Sequence, residues 1–289
     1  MFVISSNNSL DLATELATIL KIELVLPEVI KFKNSEMAIK ILKNFDSQTV
    51  IIVSSTSTHI NDSFIEICLL INASKNAGAN KIIVIVPYFS YLRQNQKENN
   101  NPVHLMVNLL KTAGADLIIT MDTHAAIDPN LRSTLVSLDT CDLFLENLTL
   151  VPRDTVVIAP DLGAANRAKN LASALELPFV IATKHRLQDK ILFDLNFKEV
   201  ANKNCIIIDD MIDSGNTIYY LAELLQKYEC ILNCCITHPI FSKGSLELLN
   251  KIRFKQFFVC NTIKQNLPSN IITINIIPKI AAYLISKKF

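Results

Sequence analysis

Two adjacent acids stand at the end of a strongly apolar run in the second half of the chain. Residues 205–208 (Cys-Ile-Ile-Ile) lead directly into Asp209 and Asp210, and the segment 213–217 (Asp-Ser-Gly-Asn-Thr) follows two residues later. Adjacent carboxylates can accept hydrogen bonds from sugar hydroxyls or bind a metal ion. A tight loop that opens a helix offers backbone N–H groups to an anion. The stretch therefore predicts a ligand site.

A purely structural interpretation of the same stretch is capping of a helix. Asp213 or Ser214 could cap a helix that starts near Thr217, and the two acids could be merely solvated. For the five-residue motif taken alone, capping is the more common explanation. The acid pair behind three consecutive isoleucines favours ligand binding, because strand ends of open α/β sheets face the ligand crevice.

The elements that must position these residues alternate along the chain. Short β-branched runs are separated by longer segments with helical spacing, and the clearest runs are 49–54, 81–87, 117–121, 155–159 and 205–208. This alternation predicts an α/β fold with parallel sheets covered by helices. The pattern weakens at 143–153 and then restarts, which predicts two similar domains, 1–145 and 146–276. The helical pattern of 277–289 fits packing on either domain, and we group it with the first.

Composition argues against several classes of protein. Five widely spaced glycines cannot build either G-x-G-x-x-G or a P-loop. A formal net charge of +1 gives no electrostatic case for nucleic acid or an anionic membrane. Apolar runs fall short of the roughly 20 residues of a membrane span, and the first residues lack the basic region of a secretory signal. Seven cysteines without a C-x-x-C pair are typical of reduced, buried thiols. We expect a soluble, cytoplasmic protein.

Several motifs together resemble the ribose-phosphate diphosphokinase (phosphoribosyl diphosphate synthetase) family. The Asp-Asp strand end and its loop resemble the phosphoribosyl diphosphate loop that this family shares with type I phosphoribosyltransferases. Collinear segments favour the diphosphokinases: Arg93-Gln94, the Asp-x-His ending at His124, Pro-Asp161-x-Gly, Lys184-x-Arg186 and 237–242 (Thr-His-Pro-Ile-Phe-Ser). The short length and the polar run 94–101, which we expect to be an exposed, mobile loop, look closest to the compact, archaeal-like form.

The resemblance implies a fold, a reaction and partners. The fold would be two domains of the type I phosphoribosyltransferase-like kind, with the ATP side in the first and the ribose 5-phosphate side in the second. The reaction would transfer the β,γ-diphosphoryl group of ATP to the 1-hydroxyl of ribose 5-phosphate, which gives phosphoribosyl diphosphate and AMP for nucleotide biosynthesis. The family also implies Mg²⁺ as cofactor and a homo-oligomer, with no nucleic acid or membrane partner.

The resemblance also implies a role for each matched residue. The catalytic pair would be Lys184 and Arg186. Ribose 5-phosphate would be bound by Asp209, Asp210, Asp213, Ser214, Gly215, Asn216 and Thr217. ATP would be bound by Phe32, Asn34, Ser35, Glu36, Arg93, Gln94 and Lys97. The metal positions would be His124 and Asp161, with contact from the histidine through water, because Mg²⁺ prefers oxygen ligands. If the resemblance is set aside, the residues have simpler interpretations. Segment 184–186 (Lys-His-Arg) would be a solvated turn, Arg93 a surface residue and His124 a hydrogen-bonded residue at a strand end.

Departures from the family pattern fall mainly on the ATP side. The family segment Phe-x-Asp-Gly-Glu here has Asn34 in place of the acid and Ser35 in place of the glycine. In the phosphate loop, Asn216 replaces a glycine, and asparagine tolerates a left-handed backbone. An alternative hypothesis is therefore a catalytically weak or inactive regulatory paralogue that binds an active diphosphokinase. A base-salvage phosphoribosyltransferase would leave the first half of the chain unexplained.

Overall fold

The chain divides into two compact units. The structure, a computed structural model, describes residues 1–57, 59–92, 102–124, 127–148, 152–187 and 190–289. The first unit contains Met1–Leu138 together with the C-terminal segment Ile276–Phe289, and the second contains Asp139–Asn275. Within the described ranges, no helix is both long enough and apolar enough to cross a membrane.

The first unit is built on a six-stranded parallel sheet. Its strands are β1 (Phe2–Ser5), β2 (Glu23–Val25), β5 (Thr49–Val53), β6 (Lys81–Ile85), β7 (Leu117–Met121) and β8 (Leu135–Leu138), in the order β2-β1-β5-β6-β7-β8. A separate antiparallel hairpin is formed by β3 (Glu28–Lys31) and β4 (Met37–Lys40). The helices of this unit are α1 (Leu10–Leu20), α2 (Ile60–Asn76), α3 (Pro102–Ala113) and the C-terminal α9 (Ile277–Ser286). The last helix contacts α1.

The second unit repeats this plan. Its parallel sheet has the order β10-β9-β13-β14-β15-β16, with β9 (Thr155–Ala159), β10 (Phe179–Ile181), β13 (Asn204–Ile212), β14 (Ile231–Pro239), β15 (Phe254–Cys260) and β16 (Ile272–Ile274). Strands β11 (Thr183–Leu187) and β12 (Lys190–Asp194) form its antiparallel hairpin. The helices are α4 (Cys141–Asn147), α5 (Ala165–Leu175), α6 (Phe197–Val200), α7 (Asn216–Gln226) and α8 (Ser245–Leu249).

Burial explains why the central strands have unbroken apolar sequences. A parallel sheet covered on both faces buries the side chains of both faces, so its strands lose the alternation of a half-exposed strand. Every residue of β7 and of β9 is buried, as are the first five residues of β13. The predicted α/β fold with two similar parallel-sheet domains is confirmed by these two sheets.

The strand order fixes where a ligand crevice can form in each unit. From β9 the chain moves outward to β10 and then returns past β9 to β13, so the winding direction reverses between β9 and β13. Open α/β sheets bind ligands at such a reversal, beyond the carboxyl ends of the strands. In the first unit the equivalent position lies between β1 and β5.

Candidate functional site

The predicted acid pair lies at the reversal point of the second unit. Asp209 and Asp210 occupy the carboxyl-terminal part of β13, where that strand continues beyond its pairing with β9. The side chain of Asp210 is buried, whereas Asp209 is partly exposed. The backbone N–H of Asp210 donates to Oδ1 of Asp209 over 2.9 Å. The two carboxylates therefore stand together at the edge of the sheet.

Electrostatic repulsion and burial dominate the environment of this pair. Although Asp209 remains partly accessible, desolvation of its carboxylate by the surrounding protein raises its pKa well above the ordinary value, and the neighbouring Asp210 carboxylate raises that pKa further. Arg167 opposes that rise in the pKa of Asp209. Its Nη2 atom lies 3.8 Å from Oδ2 of Asp210, and both side chains are well buried. The guanidinium of Arg167 thus offsets part of the unfavourable burial of negative charge at this pair.

Asp161 follows β9 and belongs to the same edge of the sheet. The register of β9 and β13 ends with Ile158 paired to Ile207, and Asp161 follows three residues beyond that pair. The Asp161 carboxylate contributes to the raised pKa of Asp209, as expected for a nearby negative charge. Its Oδ1 atom accepts the N–H groups of Gly163 at 2.9 Å and Ala164 at 3.2 Å. Asp161 therefore caps a short turn, and a cation would have to be met by its second oxygen.

The predicted phosphate loop opens helix α7. Gly215 precedes the helix with a φ of 78°, and Asn216 is the first helical residue. Our expectation that Asn216 uses a left-handed backbone is wrong, because Gly215 takes that conformation. The first N–H groups of a helix have no intrahelical acceptor, so those of α7 are available to an anion. Ser214 and Asn216 are exposed at this end of the helix.

Lys184 contacts the phosphate loop from the hairpin. It lies on β11, a strand of its own rather than the end of the preceding one, and its Nζ atom donates to Oγ1 of Thr217 over 2.6 Å. Arg186 is two residues further along β11, so it belongs to the same hairpin strand; its side chain lies outside the part of the chain described. The predicted catalytic lysine and the loop predicted to bind ribose 5-phosphate are thus in direct contact.

The predicted ATP segment forms the turn of the hairpin in the first unit. The turn is closed by backbone bonds from Phe32 N–H to Glu36 C=O at 2.9 Å and from Ser35 N–H to Phe32 C=O at 3.0 Å. Asn34 Oδ1 accepts the N–H of Glu36 at 3.2 Å, and Ser35 has a φ of 72°. All four side chains are exposed. The side-chain oxygen of Asn34 thus accepts the backbone hydrogen bond that an aspartate would accept in this turn. Ser35 has the left-handed backbone conformation that glycine adopts most readily.

The other predicted residues of the first unit are only partly described. His124 follows β7 and is partly buried. Arg93, Gln94 and Lys97, together with the rest of the predicted loop, lie outside the described residues. Among the residues that are described, no group of three or more His, Cys, Asp or Glu side chains is arranged to hold a metal ion.

The structure adds two residues to which the sequence assigned no role. Arg167 bridges the acid pair and the 161–164 turn, because it also donates to the carbonyl of Gly163 over 3.3 Å. Ser242 donates its hydroxyl to the carboxylate of Asp213 in the phosphate loop. Both residues fall in segments that resemble the family. The spacing of Gly163 and Arg167, one helical turn apart, was the available signal for the first contact.

Sequence comparison identifies full-length relatives. The profile of the N-terminal domain of ribose phosphate pyrophosphokinase matches residues 1–114, and that of the phosphoribosyl transferase domain matches residues 147–268. Ribose-phosphate pyrophosphokinase 1 of Streptococcus pyogenes serotype M3 is 33% identical over 99% of this chain and 93% of its own length. Ribose-phosphate pyrophosphokinase of Bacillus caldolyticus is 33% identical over 89% of this chain and 84% of its own.

Structural comparison supports the same fold. The crystal structure of phosphoribosylpyrophosphate synthetase from Mycobacterium smegmatis matches with a TM-score of 0.87, at 23% identity, over 100% of this chain and 99% of that chain. This similarity confirms the predicted fold class, and the matches to both domain profiles and to the two bacterial relatives confirm the resemblance read from the motifs. The chain belongs to the ribose-phosphate pyrophosphokinase family, whose members are also called diphosphokinases.

Proposed function

We propose that this chain transfers the β,γ-diphosphoryl group of ATP to the 1-hydroxyl of ribose 5-phosphate, which yields phosphoribosyl diphosphate and AMP for nucleotide biosynthesis. Family membership supports the reaction. The single structural observation that carries it is the meeting of an acid pair, a phosphate loop and Lys184 at one edge of the second unit. Such transfer depends on alignment and on neutralisation of charge more than on a strong base.

The second unit would bind and orient the acceptor. Asp209 and Asp210 would accept hydrogen bonds from the ribose hydroxyls, since ionised carboxylates are acceptors only. The N–H groups at the start of α7, with the hydroxyls of Ser214 and Thr217, would hold the 5-phosphate. Lys184 would stabilise the negative charge that develops during transfer, and its bond to Thr217 already keeps its ammonium group at the acceptor site. Arg186, on the same strand, would assist it.

The first unit would bind the nucleotide. Phe32 exposes about half of its surface (51%) at the hairpin turn and could stack on the adenine base, while Asn34, Ser35 and Glu36 would supply polar contacts. Arg93, Gln94 and Lys97 would contact the phosphates. Positively charged side chains are needed around the phosphate groups because ATP carries several negative charges at neutral pH.

Mg²⁺ fits the sheet edge of the second unit as an ion that arrives with its substrate, because Asp161 offers one oxygen beyond its capped Oδ1. In the first unit, His124 would act through water. Mg²⁺ retains several waters and is commonly held by one or two carboxylates plus substrate phosphates, so the absence of a three-ligand cluster among the described residues is compatible with it. When bound, the ion neutralises polyphosphate charge.

We also propose a cytoplasmic homo-oligomer, on family grounds.

The regulatory-paralogue hypothesis rests on the departures from the family pattern, and the clearest of them on the ATP side is the loss of one charge at Asn34. The structure weakens the geometric part of that argument, because Asn34 closes the same kind of turn as an aspartate. The electrostatic part of the argument remains, because the neutral amide of Asn34 cannot bind a cation as an aspartate carboxylate does.

The two hypotheses differ in a direct assay. Purified protein is incubated with ATP, Mg²⁺ and ribose 5-phosphate, and AMP and phosphoribosyl diphosphate are measured, with a parallel reaction that lacks ribose 5-phosphate. We expect AMP only in the complete reaction, and a loss of turnover of about 10²- to 10³-fold in Lys184→Ala. Binding of ribose 5-phosphate without any turnover would favour the regulatory paralogue.

A further inference from the structure

The phosphate loop begins with an acid, which is an unexpected neighbour for a phosphate. Asp213 opens the 213–217 segment, and an ionised carboxylate repels a bound phosphate at close range. The loop can bind the 5-phosphate only if this carboxylate is turned toward other hydrogen-bond donors. In the structure, the Asp213 carboxylate accepts the hydroxyl of Ser242.

Ser242 holds Asp213 at two points. Besides the side-chain bond, its backbone N–H donates to the carbonyl of Asp213 over 3.0 Å. The residue before Asp213 is tied to the same segment, because Ile212 C=O accepts the N–H groups of Ile240 at 2.9 Å and Phe241 at 3.0 Å. The segment between β14 and α8 therefore fixes the entry to the phosphate loop.

The other side of the loop rests on α8. A Cβ atom added to Gly215 would lie 3.3 Å from Cγ of Leu249, which is itself buried. The backbone of the loop thus approaches α8 as closely as a residue without a side chain allows. The loop is held between Ser242 on one side and Leu249 on the other.

We propose that Ser242 is a positioning residue for ribose 5-phosphate. Its hydroxyl keeps the Asp213 carboxylate away from the phosphate position and sets the direction of the N–H groups that follow in the loop. Ser242 itself contacts neither the ribose nor the transferring phosphorus. The inference rests on the proposed function for the identity of the ligand, and it predicts a selective effect on the affinity for ribose 5-phosphate.

The matched variants are Ser242→Ala, Ser242→Thr and Ser245→Ala. Threonine retains a hydroxyl. Ser245 lies three residues further along, is buried, and has a hydroxyl without a hydrogen-bond partner among the described residues, so it controls for removal of a serine oxygen from the same segment. The first readout is the dissociation constant of ribose 5-phosphate by calorimetry. The second is the pair of KM values and kcat in the AMP assay.

We expect Ser242→Ala to weaken ribose 5-phosphate binding by about tenfold, in line with loss of one charge-assisted hydrogen bond. The KM for ATP and kcat should stay within about twofold, Ser242→Thr should recover most of the affinity, and Ser245→Ala should match the wild type. In an Asp213→Ala background, Ser242→Ala should have little further effect, because the bond is already absent.

Two outcomes would overturn the inference. One is that Ser242→Ala binds ribose 5-phosphate as tightly as Ser245→Ala does. The other is an equal loss in every kinetic parameter, which would indicate general damage to the fold. Failure of the proposed function gives a different result: a wild type that binds ribose 5-phosphate without releasing AMP refutes the transfer reaction, while the binding series still tests Ser242. A wild type that does not bind the sugar phosphate refutes both.

Discussion

At the scale of single residues, the proposed acceptor site places acidic side chains where burial and mutual repulsion oppose their ionisation. Asp209 has a raised pKa because burial and the adjacent Asp210 disfavour its ionised form, and Arg167 only partly offsets this. The residue types of the pair and of its loop could be read from the sequence. Their partners could not, since Lys184 and Thr217 lie 33 residues apart and meet only in the folded unit.

The first prediction is that Asp209→Asn stabilises the protein while it damages the site. The pKa of Asp209 is raised in the folded state, so its ionisation lowers the free energy of unfolding. This loss is absent below the unfolded pKa of about 3.9, grows as the pH rises, and is complete above the folded-state pKa. The stability gained by the variant should therefore be larger at pH 7.5 than at pH 5 in urea unfolding. Ribose 5-phosphate affinity should fall by about 10- to 100-fold, through loss of a charge-assisted bond. A destabilised variant at pH 7.5 would contradict this account of the acid pair.

At the scale of elements, the strands of the two units differ in how far the sequence predicted them. Long, buried strands such as β5, β7 and β9 were predictable from their apolar runs. The hairpin β3–β4 was not, because its strands have four residues each and none of these residues is buried, which leaves little apolar pattern to detect. The first strand, β1, is apolar and fully buried, but it was missed because a run of four residues is too short to stand out.

The second prediction concerns the strained turn of the hairpin. Ser35 has a φ of 72°, which costs a residue with a side chain roughly 1 kcal/mol or more. Ser35→Gly should remove this strain and slow amide hydrogen exchange in the hairpin by about fivefold, as local opening becomes rarer. Ser35→Ala is the control, because it also lacks the hydroxyl but retains the strain. Equal slowing in both variants would show that the hydroxyl, rather than the backbone, was responsible.

The third prediction concerns the glycine of the phosphate loop. Gly215→Ala would place a side chain on a residue with a φ of 78° and 3.3 Å from Leu249, so it should destabilise the loop by about 1–2 kcal/mol. We expect weaker ribose 5-phosphate binding and a lower melting temperature. Gly244→Ala is a useful control: its φ of 87° is similar, but no atom of the described residues beyond its chain neighbours lies within 4 Å of the added Cβ. If both variants bind ribose 5-phosphate equally well, contact with α8 does not shape the loop.

At the scale of the whole molecule, one topology occurs twice but the two reversal points differ in chemistry. The second unit has two acids at the end of β13, whereas β5 in the first unit is followed by Ser54, Ser55 and Thr56. In the first unit, Ser55 N–H donates to Oγ of Ser9 at 2.9 Å, so this edge is linked internally by hydroxyls. The repeated alternation made the two-domain fold predictable, while the division of chemistry between the units depended on a few strand-end residues.

The fourth prediction follows from that division. Asn34→Ala removes the acceptor that closes the nucleotide turn, so the KM for ATP should rise by about three- to tenfold, with an unchanged dissociation constant for ribose 5-phosphate. Asn34→Asp keeps an acceptor at the same position and restores the family's charge, so its KM for ATP should equal or fall below that of the wild type. A change in ribose 5-phosphate affinity in either variant would argue against separate binding by the two units.

The most direct test of the central claim follows the phosphorus atoms of ATP by ³¹P NMR in the presence of Mg²⁺ and ribose 5-phosphate. The account predicts that the β and γ phosphorus signals pass together into the diphosphate of phosphoribosyl diphosphate as AMP forms, and that Lys184→Ala slows this transfer by about 10²- to 10³-fold. Formation of ADP or free diphosphate, or an unchanged ATP spectrum despite bound ribose 5-phosphate, would contradict it.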